Sequence, residues 1–549
     1  MRPERFRYGG INHRLEICDR STVFLLLFTS LYSIKNIPTM KKSLSIISLA
    51  ALLAACGHPS VPTSYSSDNK VPVIYPDYTD VVVPSNIAPL NFAVMEQGTE
   101  AVARFTFAGG EYTYGDGKKI VIDEDEWKEM LAASKGKDIK VDVFTNNGGK
   151  WTAYKSFNIT IAEDDIDPYI SYRLIQPSYV AYEDLSIQQR DITTFDESTI
   201  YSNLSVSNEE EGQCINCHSY KNYKTDNMLF HMRQSFGGTM IVDNGNVKKV
   251  DLKTDSTISA GVYPAWHPTL NLIAFSTNKT GQSFHTKDIA KIEVQDTQSD
   301  LILYDVEKDE VSYIARDENE LEVFPTWSPD GKTLYYCSAN FVYTGRDHDK
   351  PDSLQSDTAA PIAMETEMIQ RYKECRYNIY KKSFDTKTRT FGPRELVYDA
   401  VANERSATLP RISADGRYLA FAEGYWGCFH VWHPEADIQI LDLKTGKTVP
   451  TAAMNSKRSE SYPVWSSNGR WIIFESRRDD GNYTRPYIAY FDKKGKVHKA
   501  FAVPQKDPSF YTFFLRSFNR PEFMVESVKI SPKEFTSVAK TEARKVTFK

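Results

Sequence analysis

The residues with the clearest chemical meaning stand together at Gln213-Cys214-Ile215-Asn216-Cys217-His218-Ser219. Two thiols three positions apart, followed at once by an imidazole, make the Cys-x-x-Cys-His pattern by which a c-type haem is attached. On one turn of chain the thiols reach the two vinyl groups as thioethers, and the adjacent imidazole turns back to the iron. Cys214 and Cys217 are therefore the expected covalent haem residues, His218 the expected axial ligand, and one haem c the expected cofactor. The second axial ligand is expected just downstream, in MLFHMRQSFGGTM: His231 or Met228, with His285 as a more remote choice. If Met228 to Arg233 is a strand, Met228 and Met232 face one way and His231 the other. A Met/His pair would raise the potential and a His/His pair would lower it.

Other chemistries use the same groups. A redox-active Cys-x-x-Cys belongs at a helix start, and the acidic flank Glu209-Glu210-Glu211-Gly212 would not depress a thiol pKa. Zinc asks for four ligands, and this loop gives three. A disulfide at this spacing is strained. His430-Val431-Trp432-His433 suggests a metal pair, but Pro434 follows with no carboxylate in register, so these read as loop histidines. Cys337 reads as a small buried hydrophobe, and Cys375 and Cys428 could pair. No Gly-rich phosphate loop and no Ser-His-Asp spacing is present, so no catalytic residue is nominated.

What must position these groups is a set of strands. Tyr263-Pro-Ala-Trp-His-Pro, Phe324-Pro-Thr-Trp-Ser-Pro-Asp-Gly, Leu409-Pro-Arg-Ile-Ser-Ala-Asp-Gly and Tyr462-Pro-Val-Trp-Ser-Ser-Asn-Gly align without gaps. Each is a short strand, a turn and a second apolar strand, and a further strand pair follows each copy. Asp330-Gly331, Asp415-Gly416 and Asn468-Gly469 supply the positive φ that tight hairpins require. Four strands per unit at this period describe a propeller blade. One more blade is expected from Met228 to Lys253 and a degenerate last one from Phe510 to Lys529, which makes six. Phe341 to Cys375 reads as an insertion with a helix from Glu365 to Glu374.

Ahead of the repeats, residues 85–165 alternate short strands with Gly-rich breaks around one helix, Glu124 to Ser134. That pattern predicts a small, immunoglobulin-like β-sandwich. The fold class is thus all-β: a sandwich, a linker at 166–227 carrying the Cys-x-x-Cys-His motif, a propeller at 228–535 and a tail at 536–549.

The N-terminus reads as targeting sequence. Met40-Lys41-Lys42, an apolar run from Leu44 and Leu53-Ala54-Ala55-Cys56 describe a secretory signal, with Met40 as the expected start and residues 1–39 as an upstream extension. The run is too short to span a bilayer, which needs about 20 residues. Residues 56–84, rich in Pro and Ser, read as a tether. The formal charge of −6 leaves no basic excess for a phosphate backbone, so no nucleic-acid partner is expected.

Two resemblances sharpen these readings. Leu-Ala-Ala-Cys56 resembles a bacterial lipobox, which implies that Cys56 becomes an acylated mature N-terminus. The Pro-x-Trp-Ser-Pro-Asp-Gly-Lys core resembles the repeat of TolB-type β-propellers. The whole run, with Tyr75-Pro-Asp-Tyr-Thr-Asp80, the Cys-x-Asn-Cys-His-Ser element and the repeats, resembles a family of Bacteroidota lipoproteins often labelled TolB-like or cytochrome c biosynthesis proteins. By that resemblance the protein would sit on the periplasmic face of the outer membrane, held by lipid. Its single haem would serve electron transfer or sensing, and the propeller would dock a periplasmic or outer-membrane protein. The alternative is a TolB-like envelope scaffold in which haem is structural or absent.

Overall fold

The repeats fold as the inner hairpins of blades. In Glu320–Trp327 and Thr333–Asn340 the apolar residues of the motif are buried along both strands. The turn between them is closed by Gly331 N–H donating to the Ser328 carbonyl at 2.9 Å. Gly331, Gly416 and Gly469 sit at φ of 67°, 73° and 67°, the left-handed region open to glycine. The preceding Asp330, Asp415 and Asn468 each accept from the N–H two residues on, at 3.0 Å in all three copies. That bond explains why Asp or Asn precedes the glycine.

The structure is a computed structural model that describes residues 58–176, 184–206, 213–351, 353, 355 and 360–549. Cys56, the signal segment and the acidic flank 207–212 lie outside the described residues. Ser60–Lys549 pack as one unit.

Six antiparallel blades form the ring. Blade 2 is Gln213–Lys221, Lys224–Gln234, Gly238–Asp243 and Asn246–Asp251. Blade 3 is Val262–Trp266, Leu272–Phe284, Ile292–Asp305 and Glu310–Ala315, and blade 4 is Glu320–Trp327, Thr333–Asn340, Asn378–Asp385 and Thr390–Tyr398. Blade 5 runs from Ser406–Ile412 to Lys447–Val449 and blade 6 from Glu460–Trp465 to Phe501–Ala502. Blade 1 is composite: Tyr169–Ile175, Ser186–Asp191 and Glu197–Ser202 pair with Ser517–Met524 as the inner strand. The chain closes its ring by lending a C-terminal strand to the first blade.

This corrects two expected boundaries. Residues 166–227 are not a linker: they supply the outer strands of blade 1 and the inner strand of blade 2. The segment near Phe510–Lys529 is no blade of its own but the strand that completes blade 1. The last residues also pair. Arg544–Lys545 lies along the outer strand of blade 2 and Thr547–Phe548 along that of blade 3, covering both edges.

The sandwich has a seven-stranded and a three-stranded sheet. Its helix, Glu124–Ala133, starts at Asp123, whose carboxylate accepts from the Asp125 and Glu126 N–H groups, and buries Trp127, Met130 and Leu131. The expected tether joins this domain instead. Val81–Val83 pairs with Phe157–Ile161, Tyr78 is fully buried, and Lys499 Nζ holds Asp77 at 2.8 Å. One apolar core runs from Phe92 and Trp127 in the sandwich to Trp465 and Trp471 in the ring. Polar contacts fix the seam: Trp471 Nε1 donates to the Asp165 carbonyl at 3.0 Å, and Ser467 N–H to Asp167 at 2.7 Å. Among the described residues no helix is long and apolar enough to cross a membrane.

Candidate functional site

Every inner strand breaks its register at the same place. The ladder skips two residues between Val262 and Ala265, Val323 and Thr326, Thr408 and Arg411, and Ser461 and Val464. It does the same opposite Ser171–Arg173 in blade 1 and between Asn216 and Ser219 in blade 2. The first residue of each bulge has positive φ: Arg520 54°, Cys217 53°, Tyr263 51°, Phe324 54°, Leu409 56° and Tyr462 50°. Such φ in non-glycine residues costs on the order of 1 kcal/mol or more and persists because the ring over-determines it. The second residue is Pro521, Pro264, Pro325, Pro410 or Pro463 in five blades, and His218 in blade 2.

These bulges form the waist of the central channel. Tyr263, Phe324, Leu409, Tyr462 and Arg520 surround a space of only 20 Å³, and the Tyr263 and Phe324 rings lie 4.4 Å apart. The waist separates two cavities. One mouth, of 310 Å³, is lined by residues that follow the bulges, including Trp266, Trp327 and Trp465. Its charges are paired there, Arg411 with Glu522 at 3.0 Å. The other mouth, of 470 Å³, is lined by residues that precede them, Cys214, Asn216, Ser517 and Asn519 among them.

The Cys-x-x-Cys-His residues therefore occupy one strand and three environments. Cys214 lines the larger mouth. Cys217 stands in the waist ring, electrostatically beside Tyr263, Tyr462 and Arg520. His218 is 1% exposed, with its ring 6.2 Å from that of Tyr220 and its Nε2 without a hydrogen-bond partner. Burial, with the Arg520 and Arg173 guanidiniums nearby, holds its pKa well below the ordinary histidine range. Extended chain advances about 3.3 Å per residue, so the two cysteine Cα atoms stand roughly 10 Å apart rather than on one turn. Both thioethers and an iron–His218 bond would need all three side chains on one face. In this arrangement they do not fit a c-type haem. The spacing is right, but the ring makes the segment a strand.

The proposed second ligands fare differently from one another. Met228 is fully buried and His231 is 4% exposed, both on the second strand of blade 2. His231 Nδ1 meets Thr239 Oγ1 at 3.3 Å, and burial pushes its pKa down to about 3. Neither lines the mouth. His285, the remote choice, lies on the blade 3 hairpin that lines the same cavity as Cys214. Among the described residues no three His, Cys, Asp or Glu side chains are grouped to hold a metal ion.

His430 and His433 are not loop histidines in water. Both are buried, with rings 5.4 Å apart. His433 Nε2 meets Glu293 at 2.9 Å, and the Glu293 and Glu435 carboxylates raise its pKa to about 9 against the effect of burial. Burial instead lowers His430 to about 3. Glu293 also accepts from Trp426 Nε1 at 3.1 Å, which ties the long blade 3 hairpin to the loop between the second and third strands of blade 5. Cys337, Cys375 and Cys428 are buried free thiols, so the expected Cys375–Cys428 pairing is not made.

What sequence reading missed is the charge of the larger mouth. Arg173, Arg233, Lys291 and Arg477 line it, and no carboxylate does among the described residues. Arg477 is 4% exposed; its Nε donates to the Val431 carbonyl at 2.7 Å, and its guanidinium lies 3.4 Å from the centre of the Trp432 ring. Arg173 donates to the Ile215 carbonyl and to Asn519 Oδ1, each at 2.6 Å, while its Nε is buried without a partner. The four cations are spread over about 300 residues of sequence, so no local motif could announce them.

No family model matches the chain, and no curated protein matches it. Among solved structures it is similar to TolB from Acinetobacter baumannii, at 12% identity and a TM-score of 0.39, over 73% of this chain and 85% of that one. It is also similar to an auxiliary nutrient binding protein from Bacteroides thetaiotaomicron VPI-5482, at 12% identity and a TM-score of 0.32, over 79% of this chain and 99% of that one. The strand pairing itself makes this an all-β protein, a small β-sandwich joined to a six-bladed β-propeller.

Proposed function

We propose that the protein is a binding and scaffolding module of the bacterial envelope, tethered by lipid at Cys56 and facing the periplasm. The propeller offers its mouths and faces to partners, and the sandwich and the chain before it hold the ring at the membrane. The observation that carries this reading is the place of His218. It fills the bulge position that proline fills in the other five blades, and it is buried there. That place supports reading the Cys-x-x-Cys-His segment as part of the ring's inner strand rather than as a haem site.

The test is intact mass and visible absorption of protein purified from its native envelope. The expected result is two unmodified thiols at Cys214 and Cys217 and no Soret band. A covalent adduct of roughly 600 Da on that peptide would restore the haem reading. Lipid attachment is tested separately: Cys56→Ser should move the protein from the membrane to the soluble fraction, and an unchanged distribution would remove the anchor from the proposal.

A further inference from the structure

The larger mouth has the features of a ligand site rather than a surface hollow. Its volume of 470 Å³ lies within the range of small-molecule sites, roughly 300–1,000 Å³. Past the bulges the channel narrows to a space of 20 Å³.

Its lining carries cations and, among the described residues, no carboxylate. Neither Arg173 nor Arg477 forms an ion pair among the described residues, although Arg477 is nearly fully buried. Both are held by neutral acceptors: main-chain carbonyls and the amides of Asn216 and Asn519 for Arg173, main-chain carbonyls for Arg477. Burying a cation is expensive unless a close partner restores what it loses. The Glu475 and Asp480 carboxylates act on Arg477 without pairing to it, and burial outweighs them, bringing it down to about 9. A guanidinium fixed in place with no carboxylate in ion-pair contact can receive one from outside. The aromatic and aliphatic wall of Phe429, Val431, Trp432 and Val294 beside it suits an apolar group next to the charge. Arg233 and Lys291, both exposed, would attract such an anion toward the opening of a protein whose net charge is −6.

Resting on the binding-module reading, we propose that this mouth binds an organic carboxylate with an apolar group next to the acid, and that Arg477 and Arg173 receive the carboxylate. Two sources share that chemistry: a free small acid and the C-terminal end of a peptide.

The test uses the detergent-solubilised full-length protein, with calorimetry as the readout. The probes are 4-phenylbutyrate, the peptide acetyl-Ser-Leu-Phe with a free carboxylate, the same peptide as its C-terminal amide, and inorganic phosphate. The acids are expected to bind, the amide at least tenfold more weakly, and phosphate to displace neither at equal concentration. Binding by the peptide acid assigns a chain end, and binding by phenylbutyrate alone assigns a free acid. Arg477→Gln should weaken the acids at least tenfold, Arg477→Lys less, and Arg233→Gln only about twofold and in low salt. Thermal melts accompany each variant, and Arg173→Lys serves as the second probe of the site if Arg477→Gln does not fold. Equal binding of acid and amide, displacement by phosphate, or undiminished binding in a folded Arg477→Gln protein would overturn the assignment. Failure of every acid to bind adduct-free protein would end this inference alone. A covalent haem in native material would instead end the binding-module reading on which it rests.

Discussion

At the residue scale, His218 carries the argument. The inner-strand bulge needs a residue whose N–H has no ladder partner, which is why proline suits it in five blades. In blade 2 the register passes from Asn216 opposite His231 directly to Ser219 opposite Leu229, leaving His218 outside the ladder. His218→Pro should therefore fold. We expect a change in stability of no more than about 1 kcal/mol, because proline at a compatible position restricts the unfolded chain while a buried imidazole whose Nε2 lacks a partner is removed. A thermal melt monitored by circular dichroism checks this. A loss of several kcal/mol would show that the imidazole is needed where it sits, for packing or for a ligand.

At the element scale, the blade 3 hairpin is the feature that sets this ring apart. Its strands, Leu272–Phe284 and Ile292–Asp305, run 13 and 14 residues against 8 for Thr333–Asn340 in blade 4. The extra length rises beside the larger mouth, and Glu293 clamps it to His433. The groups facing that imidazole are Glu293, Glu435 and His430. Since its folded pKa of about 9 lies above the ordinary 6.5, its contribution to stability is complete below pH 6.5 and is lost as pH rises to 9. Glu475, pushed by burial to about 7, and Glu322, pushed to about 9, tilt the curve the same way. The comparison with Glu293→Gln isolates the clamp: melting temperature should fall less steeply between pH 6.5 and 9 in the variant than in the parent. Parallel curves would mean that His433 does not titrate in that window.

At the scale of the whole molecule, closure is what holds the ring. Blade 1 takes its inner strand from residues more than 300 positions downstream of its other three. Residues 525–549 then return along the edges of blades 2 and 3. Truncation before Ser517 should abolish soluble, cooperatively melting protein, because it opens the sheet of blade 1 and bares the core that Phe518 and Phe523 share with the sandwich. Size-exclusion chromatography and a melt of the truncated chain check this. A folded monomer would show that the ring stands without its closing strand.

By itself the sequence determined the local and the repeated. The Asp-Gly and Asn-Gly turns, the Pro-x-Trp strands and the Asp123-capped helix follow from bonds between near neighbours. Those copies recur four times, so the six-bladed all-β architecture was legible. The sixth copy of the bulge was not. Cys217-His218-Ser219-Tyr220 has neither the proline of the other five nor the tryptophan that three of them carry, and its cysteines matched a stronger local pattern. Only the tertiary structure decided that this segment is an inner strand, because strand pairing with Lys224–Gln234 and the wedge against blade 1 fix where each side chain points. The same holds for the basic mouth. Arg173, Arg233, Lys291 and Arg477 are unremarkable in order, and they become a site because closing a ring brings distant strand ends to one opening, where no carboxylate among the described residues shares the lining.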